Sequence, residues 1–407
     1  MIKIFQQDIN SDLEPSDFKL NSLLEITNAI NQNLEVEQLI KIYEFILKEQ
    51  MGFDRFVLFF KEDEWSVLLK VGVKLKVLQL DVESELKRFK DITFIESSYS
   101  SLLNEFDVVI PVYQKEKALA YLLVKDTHSD HPSRDNRMNF VQTLTNIIGV
   151  AIENKRMTKL GLIQERIKKE LEVASELQKL LFPSDLPSNR RMDISARYTP
   201  RHEVGGDYYD FIPLGDDEYI ICIADVSGKG IGAAMLMANF QATIRTMFKY
   251  QRFELEFLLE ELNKKVMRNA KGEKFITFFI AHYNAHTREL KYANAGHNHP
   301  ILSNGRKFEL LHKGSIGLGM LDELPFIEIG TEVLKANTTL LLYTDGVVEL
   351  ENKDGDFYGI ERLVKNLHTF YGLKMDDLNS LIFSKLNEWK GELELVDDTA
   401  IFACKFF

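Results

Sequence analysis

The sequence predicts an α+β chain in which two compact domains are joined by a long helical linker. Three observations carry this expectation. The chain has 407 residues, which suits two or three domains, and 45% of them are hydrophobic, enough to fill real cores. No proline falls between Pro132 and Pro183, an interval rich in Glu, Lys, Leu and Ile. Apolar runs that stop at glycine or aspartate lie on both sides of that interval and read as buried strands.

Residues 1–16 are expected to be an N-terminal extension, and with no apolar h-region they do not read as a secretion signal. Over 17–155 a helical pattern at Leu23 to Lys48 alternates with strand-like runs, Phe56–Phe60 and Val108–Val112, which predicts a mixed α/β domain. From about Met138 to Phe182 apolar residues recur at three and four: Phe140, Leu144, Ile147, Ile148, Ala151, then Leu160, Ile163, Ile167, Leu171, Ala174, Leu177 and Leu181. Many charges surround the later half of this stripe. A coiled-coil linker over 156–187, paired with a second copy in a homodimer, fits best; with only about three heptads, packing onto its own domain is the competing arrangement. The segment Phe182–Pro187 marks the break, and 188–407 form the second domain, with strands at Tyr219–Ala224, Phe275–Tyr283, Thr338–Tyr343 and Thr399–Phe406 and two or three helical stretches.

Composition narrows the function. Sixty-two acidic against fifty basic residues give a formal charge of −12, the wrong sign for gripping phosphate backbones or anionic lipid. Cys222 and Cys404 are the only cysteines, so neither a disulfide framework nor a four-thiolate zinc site is available. No stretch approaches the roughly 18 apolar residues that a spanning helix needs, and the expectation is a soluble cytoplasmic protein.

The most informative positions are aspartates at the ends of apolar runs. Tyr219–Ala224 stops at Asp225, ahead of Val226-Ser227-Gly228-Lys229-Gly230; Leu340–Thr344 stops at Asp345-Gly346; and Asp397-Asp398 precede the run from Thr399. In an antiparallel sheet the end of one strand lies beside the start of its neighbour, so these carboxylates can converge. Asp207 lies far enough before Asp225 for a hairpin to join them. Crowded carboxylates repel and raise one another's pKa unless a cation neutralises them. Oxygen donors without matching His or Cys select magnesium or manganese over zinc. Two such ions sharing a carboxylate can activate a water for attack on a phosphoryl group. The competing explanation is that each Asp-Gly pair is merely a turn.

Taken together, Gly205-Gly206-Asp207-Tyr208-Tyr209-Asp210, Ala224-Asp225-Val226-Ser227-Gly228-Lys229-Gly230 with Ala233-Ala234, Asn294-Ala295-Gly296-His297-Asn298-His299-Pro300, Leu342-Tyr343-Thr344-Asp345-Gly346-Val347-Val348-Glu349 and Asp397-Asp398 resemble the RsbU/SpoIIE branch of the metal-dependent PPM serine/threonine phosphatases. Glu176–Pro183 is similar to the helix that leads into that domain. The resemblance implies an α-β-β-α sandwich with two Mn2+ or Mg2+ ions in the cleft between its sheets. It implies catalytic roles for Asp207, Asp225, Asp345 and Asp397. Asp225 would bridge the ions, with the carbonyl of Val226 on one of them; Asp345 and a final aspartate would bind the other, and Asp207 would bind directly or through water. Many members read Asp-Asp-x-Thr where this chain reads Asp-Asp-Thr-Ala, so Asp397 is favoured and Asp398 is kept beside it. The implied substrate is a phosphorylated STAS-domain anti-sigma-factor antagonist in a partner-switching pathway.

Residues 17–155 resemble a GAF domain through Leu20–Ile26, the run after Phe53-Asp54-Arg55, and Phe140–Leu144 continuing to Val150–Asn154. Without a cysteine there, a thioether-linked bilin is excluded, and the Asn-Lys-Phe-Asp-Glu signature of cyclic-nucleotide binding is missing. An unknown small ligand and an empty dimerisation module both remain open. His297 is expected to order a loop rather than to act as a general acid, Lys229 to contact water or substrate phosphate, and Cys222 to be a small core residue. Two other classes compete: a silent dimeric sensor-scaffold that sequesters its partner, which the complete aspartate set argues against, and a two-metal nuclease or phosphodiesterase, for which the net charge and the lack of a basic, aromatic-rich stretch make nucleic acid a poor substrate.

Overall fold

The computed structural model describes residues 15–96, 99, 102–126, 134–250 and 254–407. The chain divides into two compact units, 1–165 and 166–407.

In the first unit, helices α1 (Pro15–Asn31) and α2 (Val36–Phe45) account for the helical patterns read at Leu23 to Lys48. They part at Asn33, whose φ of 55° no helix interior accepts. The strands are β1 (Arg55–Lys61), β2 (Trp65–Val71), β3 (Thr93–Phe94), β4 (Val108–Gln114) and β5 (Lys117–Lys125), with the one-turn α3 (Val82–Glu85) between β2 and β3. They form one antiparallel sheet in the order β2-β1-β5-β4-β3. Alternate residues of β1 serve opposite faces: Phe56, Leu58 and Phe60 pack under α1 and α2, whereas Val57 and Phe59 enter a second cluster with Val82, Leu86 and Phe106. Helix α4 (Arg134–Lys179) runs without interruption through the point where the two units divide. Its first turns bury Met138, Val141, Leu144 and Ile148 in the first core, while every residue from Met157 to Glu170 is exposed. It starts and ends a few residues earlier than its apolar stripe suggests, because the chain tightens into i→i+3 bonds at Leu180–Phe182 ahead of Pro183.

The second unit stacks two sheets. One carries β7 (Tyr208–Gly215), β8 (Glu218–Val226), β9 (Ile276–Asn284), β10 (Glu289–Ala295), the short β13 (Gly314–Ser315) and β14 (Gly330–Val333), in the order β13-β10-β9-β8-β7 with β14 also on β10. The other is β12-β11-β15-β16-β6, built from β6 (Met192–Thr199), β11 (Ile301–Ser303), β12 (Phe308–Leu310), β15 (Thr338–Tyr343) and β16 (Thr399–Phe406). Ile221, Ile223 and Phe279 of the first sheet interleave with Leu340, Leu342, Phe402 and Cys404 of the second. Helices α5 (Ile231–Tyr250) and α6 (Leu255–Ala270) cover the outer face of the first sheet through Met237, Phe240, Leu259 and Leu262. Leu341 and Ile401 of the second sheet pack against α8 (Ile360–Thr369) and α9 (Met375–Lys390), and α7 (Asp345–Val348) adds a single turn. The layers are therefore helix, sheet, sheet, helix, with five helices among the described residues after 188 where two or three were expected. Among the described residues no helix is long and apolar enough to cross a membrane.

Candidate active site

Two antiparallel strand pairs, one in each sheet, bring the aspartates together. In the first, Tyr208 pairs with Ala224, so Asp207 at the entry to β7 lies beside Asp225 near the end of β8. In the second, Tyr343 pairs with Ile401 and the Thr344 N–H donates to the Ala400 carbonyl at 3.1 Å, so Asp345 after β15 lies beside Asp397 and Asp398 before β16. The two edges face each other across the sandwich. Burial, then Asp225 and Asp398, raise the Asp207 carboxyl well above the usual range. Burial, then Asp345, Asp397 and Asp398, push Asp225 up to about 7. Asp345 is pushed up to about 6 by burial, then by Asp397 and by Glu349. Asp207, Asp225 and Asp345 thus each sense other aspartates of the set.

Neighbouring groups fix their directions. Thr344 Oγ1 donates to Asp207 Oδ2 at 2.7 Å and accepts the Ala400 N–H at 2.9 Å, which ties the first sheet's edge to the second's. Asp398 accepts the Arg201 N–H at 2.8 Å and the Gly206 N–H at 2.7 Å, one on each oxygen. Asp397 Oδ1 accepts the Asp398 N–H at 2.9 Å, and its Oδ2 pairs with Lys229 Nζ at 2.6 Å. Glycine is required at two of these approaches: a Cβ at Gly205 would strike the Tyr198 hydroxyl and the Asp398 carboxylate, and one at Gly346 would strike the Asp398 carbonyl. Asp345 opens α7 rather than sitting in a turn. The Val226 carbonyl oxygen comes within 3.0 Å of where a Gly206 side chain would begin, so it faces the Asp207 loop.

The donor set fits a hard divalent ion. It is all oxygen, and its charges are packed closely enough to hold one another's pKa up. Among the described residues no three His, Cys, Asp or Glu side chains stand as a finished ligand cage. Asp397 is turned to Lys229 and Asp398 to main-chain N–H groups, so binding would require these side chains to re-aim.

Several contributors carried no signal of their own in the sequence. Gln178, near the end of α4, is buried and grips Gly205 from both sides: its Nε2 donates to the Gly205 carbonyl at 2.7 Å and its Oε1 accepts the Gly205 N–H at 3.1 Å. Phe182 packs at a tilt against Tyr198 and Tyr209, with ring centroids 5.2 and 4.8 Å apart. Thr344 and Tyr198 likewise look like ordinary strand-end residues until their partners are known. His297 is buried, its Nδ1 2.9 Å from Thr277 Oγ1 and its N–H donating to Asn294 Oδ1 at 2.7 Å. Burial pushes its pKa down to about 4, so it is neutral near pH 7 and orders its loop. Cys222 is fully buried in β8 and its thiol is pushed up by burial, as befits a core residue.

Residues 215–407 match the family model described as Stage II sporulation protein E (SpoIIE). The chain is 32% identical over 213 residues to the phosphoserine phosphatase RsbU of Bacillus subtilis, a match that covers 51% of this chain and 62% of RsbU. This C-terminal domain is similar to the RsbU/SpoIIE-like PPM phosphatases. The C-terminal domain also superposes on the SiaA-PP2C domain of Pseudomonas aeruginosa with a TM-score of 0.54 and 22% identity, covering 60% of this chain and 99% of that one, which shows the PP2C-like fold. Protein IcfG of Synechocystis is 26% identical over 339 residues, 75% of this chain and 52% of IcfG. The chain thus spans between about half and three fifths of the length of these curated relatives. At 339 residues, the match to IcfG extends beyond the C-terminal domain into the region before it.

Proposed function

We propose that the chain is a metal-dependent protein serine/threonine phosphatase that hydrolyses a phosphoserine or phosphothreonine on a signalling partner. One observation carries the proposal: aspartates from four separate segments meet where the edges of two sheets face each other, and burial and then their mutual repulsion raise the pKa of Asp207, Asp225 and Asp345. The phosphoserine phosphatase activity named for RsbU supports the same reaction class. Asp225, Asp345 and Asp397 would hold two Mn2+ or Mg2+ ions together with the Val226 carbonyl, with Asp207 and Asp398 beside them. Bound there, the ions supply a water of lowered pKa and neutralise phosphoryl oxygens. The protein's own part is to aim the carboxylates. Thr344 orients Asp207, and Asp398 clamps the Arg201–Gly206 turn. Neutral His297 is not a proton donor near pH 7. Hydrolysis is direct, with no phosphoenzyme.

The partner, a phosphorylated STAS-domain antagonist of an anti-sigma factor, follows from the family resemblance. The sheet order of the first unit supports the GAF-like reading of 17–155 as a sensor or dimerisation module, with an unknown small ligand. The exposed run of α4 supports a homodimer through the linker, and α5, which follows the glycine loop after Asp225, is the element through which a signal would reach the site.

The test is phosphate release from p-nitrophenyl phosphate and from a phosphoserine peptide, with Mn2+ or EDTA, by the full chain, by the fragment from Glu165 onward, and by Asp225→Asn in each. Mn2+-dependent turnover that Asp225→Asn abolishes is expected, and a rate difference between full chain and fragment gives the sign of regulation. No metal-dependent turnover in any of them overturns the proposal in favour of a sequestering scaffold.

A further inference from the structure

We propose that Lys229 is a built-in counter-cation that holds Asp397 until a divalent ion displaces it; the inference rests on the metal reading of the same site. Lys229 Nζ lies 2.6 Å from Asp397 Oδ2 and donates to the Val396 carbonyl at 2.7 Å. The other cations nearby are engaged differently. Lys274 Nζ donates to the Ser227 carbonyl at 2.9 Å, and the Arg201 guanidinium takes the Val396 carbonyl. Asp398 is held by neutral main-chain N–H groups and Asp207 by a hydroxyl, which leave a carboxylate its full charge for a metal. At Asp397 an ion must exchange with a full positive charge.

The loop is built to let that exchange happen. Lys229 lies between Gly228 and Gly230, with φ of 83° and 75°, and nothing lies within 4 Å of where a Gly230 side chain would begin. The ion-paired side chains are 39% and 36% exposed, so water can take over from the carboxylate as the ammonium leaves. An ion pair this open is weak, which makes it displaceable rather than a permanent lock.

The experiment measures Mn2+ binding to the full chain directly, by the electron paramagnetic resonance signal of free Mn2+, for wild type, Lys229→Met, Lys229→Arg and Asp397→Asn, and for Lys229→Met combined with Asp397→Asn. Lys229→Met is expected to bind Mn2+ about fivefold more tightly than wild type, and Lys229→Arg, which keeps the charge, to stay close to wild type. With Asp397→Asn the Lys229→Met substitution is expected to change nothing further. That arm separates direct competition from a general change in field, because loss of a distant charge would strengthen binding in both backgrounds. Equal or weaker binding by Lys229→Met, or a gain that persists with Asp397→Asn, overturns the inference while leaving the metal site standing. No Mn2+ binding by any of the five proteins overturns the metal reading, and the inference falls with it.

Discussion

Asp225 and Asp345 concentrate negative charge where folding has removed the water that would solvate it. In the unfolded chain both titrate near the ordinary aspartate value of about 3.9. In the folded, metal-free protein they titrate at about 7 and about 6. Between those values and the unfolded one, the folded state binds more protons than the unfolded state. Their contribution to stability is therefore fully present below about pH 4 and is lost as pH rises through 6 and 7. The expected outcome, read by thermal unfolding in EDTA, is a melting temperature that falls from pH 5 to pH 8. Asp225→Asn should flatten that decline, and Mn2+ should reverse it at pH 8. A melting temperature that climbs over the same interval in EDTA would mean that the carboxylates are not crowded in solution. These aspartates were legible because each ends a recognisable apolar run. The roles of Tyr198, Gln178 and Thr344 were not, although the last two lie within quoted motifs, because a hydroxyl or amide in a strand or helix acquires meaning only from a partner remote in sequence, as Gln178 does from Gly205.

Elements matter here through how they are pinned. Asp210 of β7 is wholly buried; it accepts the Tyr208 hydroxyl at 2.5 Å and both arms of Arg245 from α5, at 2.7 and 2.8 Å. This fork fixes α5 against the strand that begins beside Asp207, so helix and site cannot move independently without breaking it. Arg245→Met would leave a buried carboxylate with neutral donors only. Because the arginine side chain is itself 44% exposed, the cost should be about 2–3 kcal/mol, below that of a fully buried pair. Urea unfolding measures it, and adding Asp210→Asn to Arg245→Met should cost less than the sum of the two single changes. A loss below about 0.5 kcal/mol would place the pair among ordinary surface bridges. Long strands such as β8, β15 and β16 were readable because both faces are apolar. The short β11, β12 and β13 were not: two- or three-residue strands carry no periodicity, and Gly314 pairs beside Asn294 because only a glycine fits against that backbone. Two or three helical stretches were expected in this domain, but α8 and α9 were not placed; they are amphipathic and bury Leu363 and Leu367, and Leu378 and Ile382.

At the scale of the whole molecule, the exposed stretch of α4 is what its own chain leaves uncovered. Leu160, Ile163 and Ile167 are 43%, 46% and 52% exposed, at the three- and four-residue spacing of a coiled-coil seam, and charged residues flank them. An isolated helix with such a stripe gains little from leaving it in water, whereas pairing with a second copy buries it at a cost in association entropy that a short seam only partly offsets. The dimer should therefore be concentration-dependent and sensitive to single charges placed in the seam. Ile163→Glu with Ile167→Glu is expected to shift the full chain from dimer to monomer in sedimentation velocity. The melting temperature of the phosphatase domain should stay unchanged, because those side chains enter none of its hydrophobic clusters. If the variant remains a dimer, contacts other than the α4 stripe hold the copies together; if wild type is a monomer throughout the micromolar range, the stripe serves another partner.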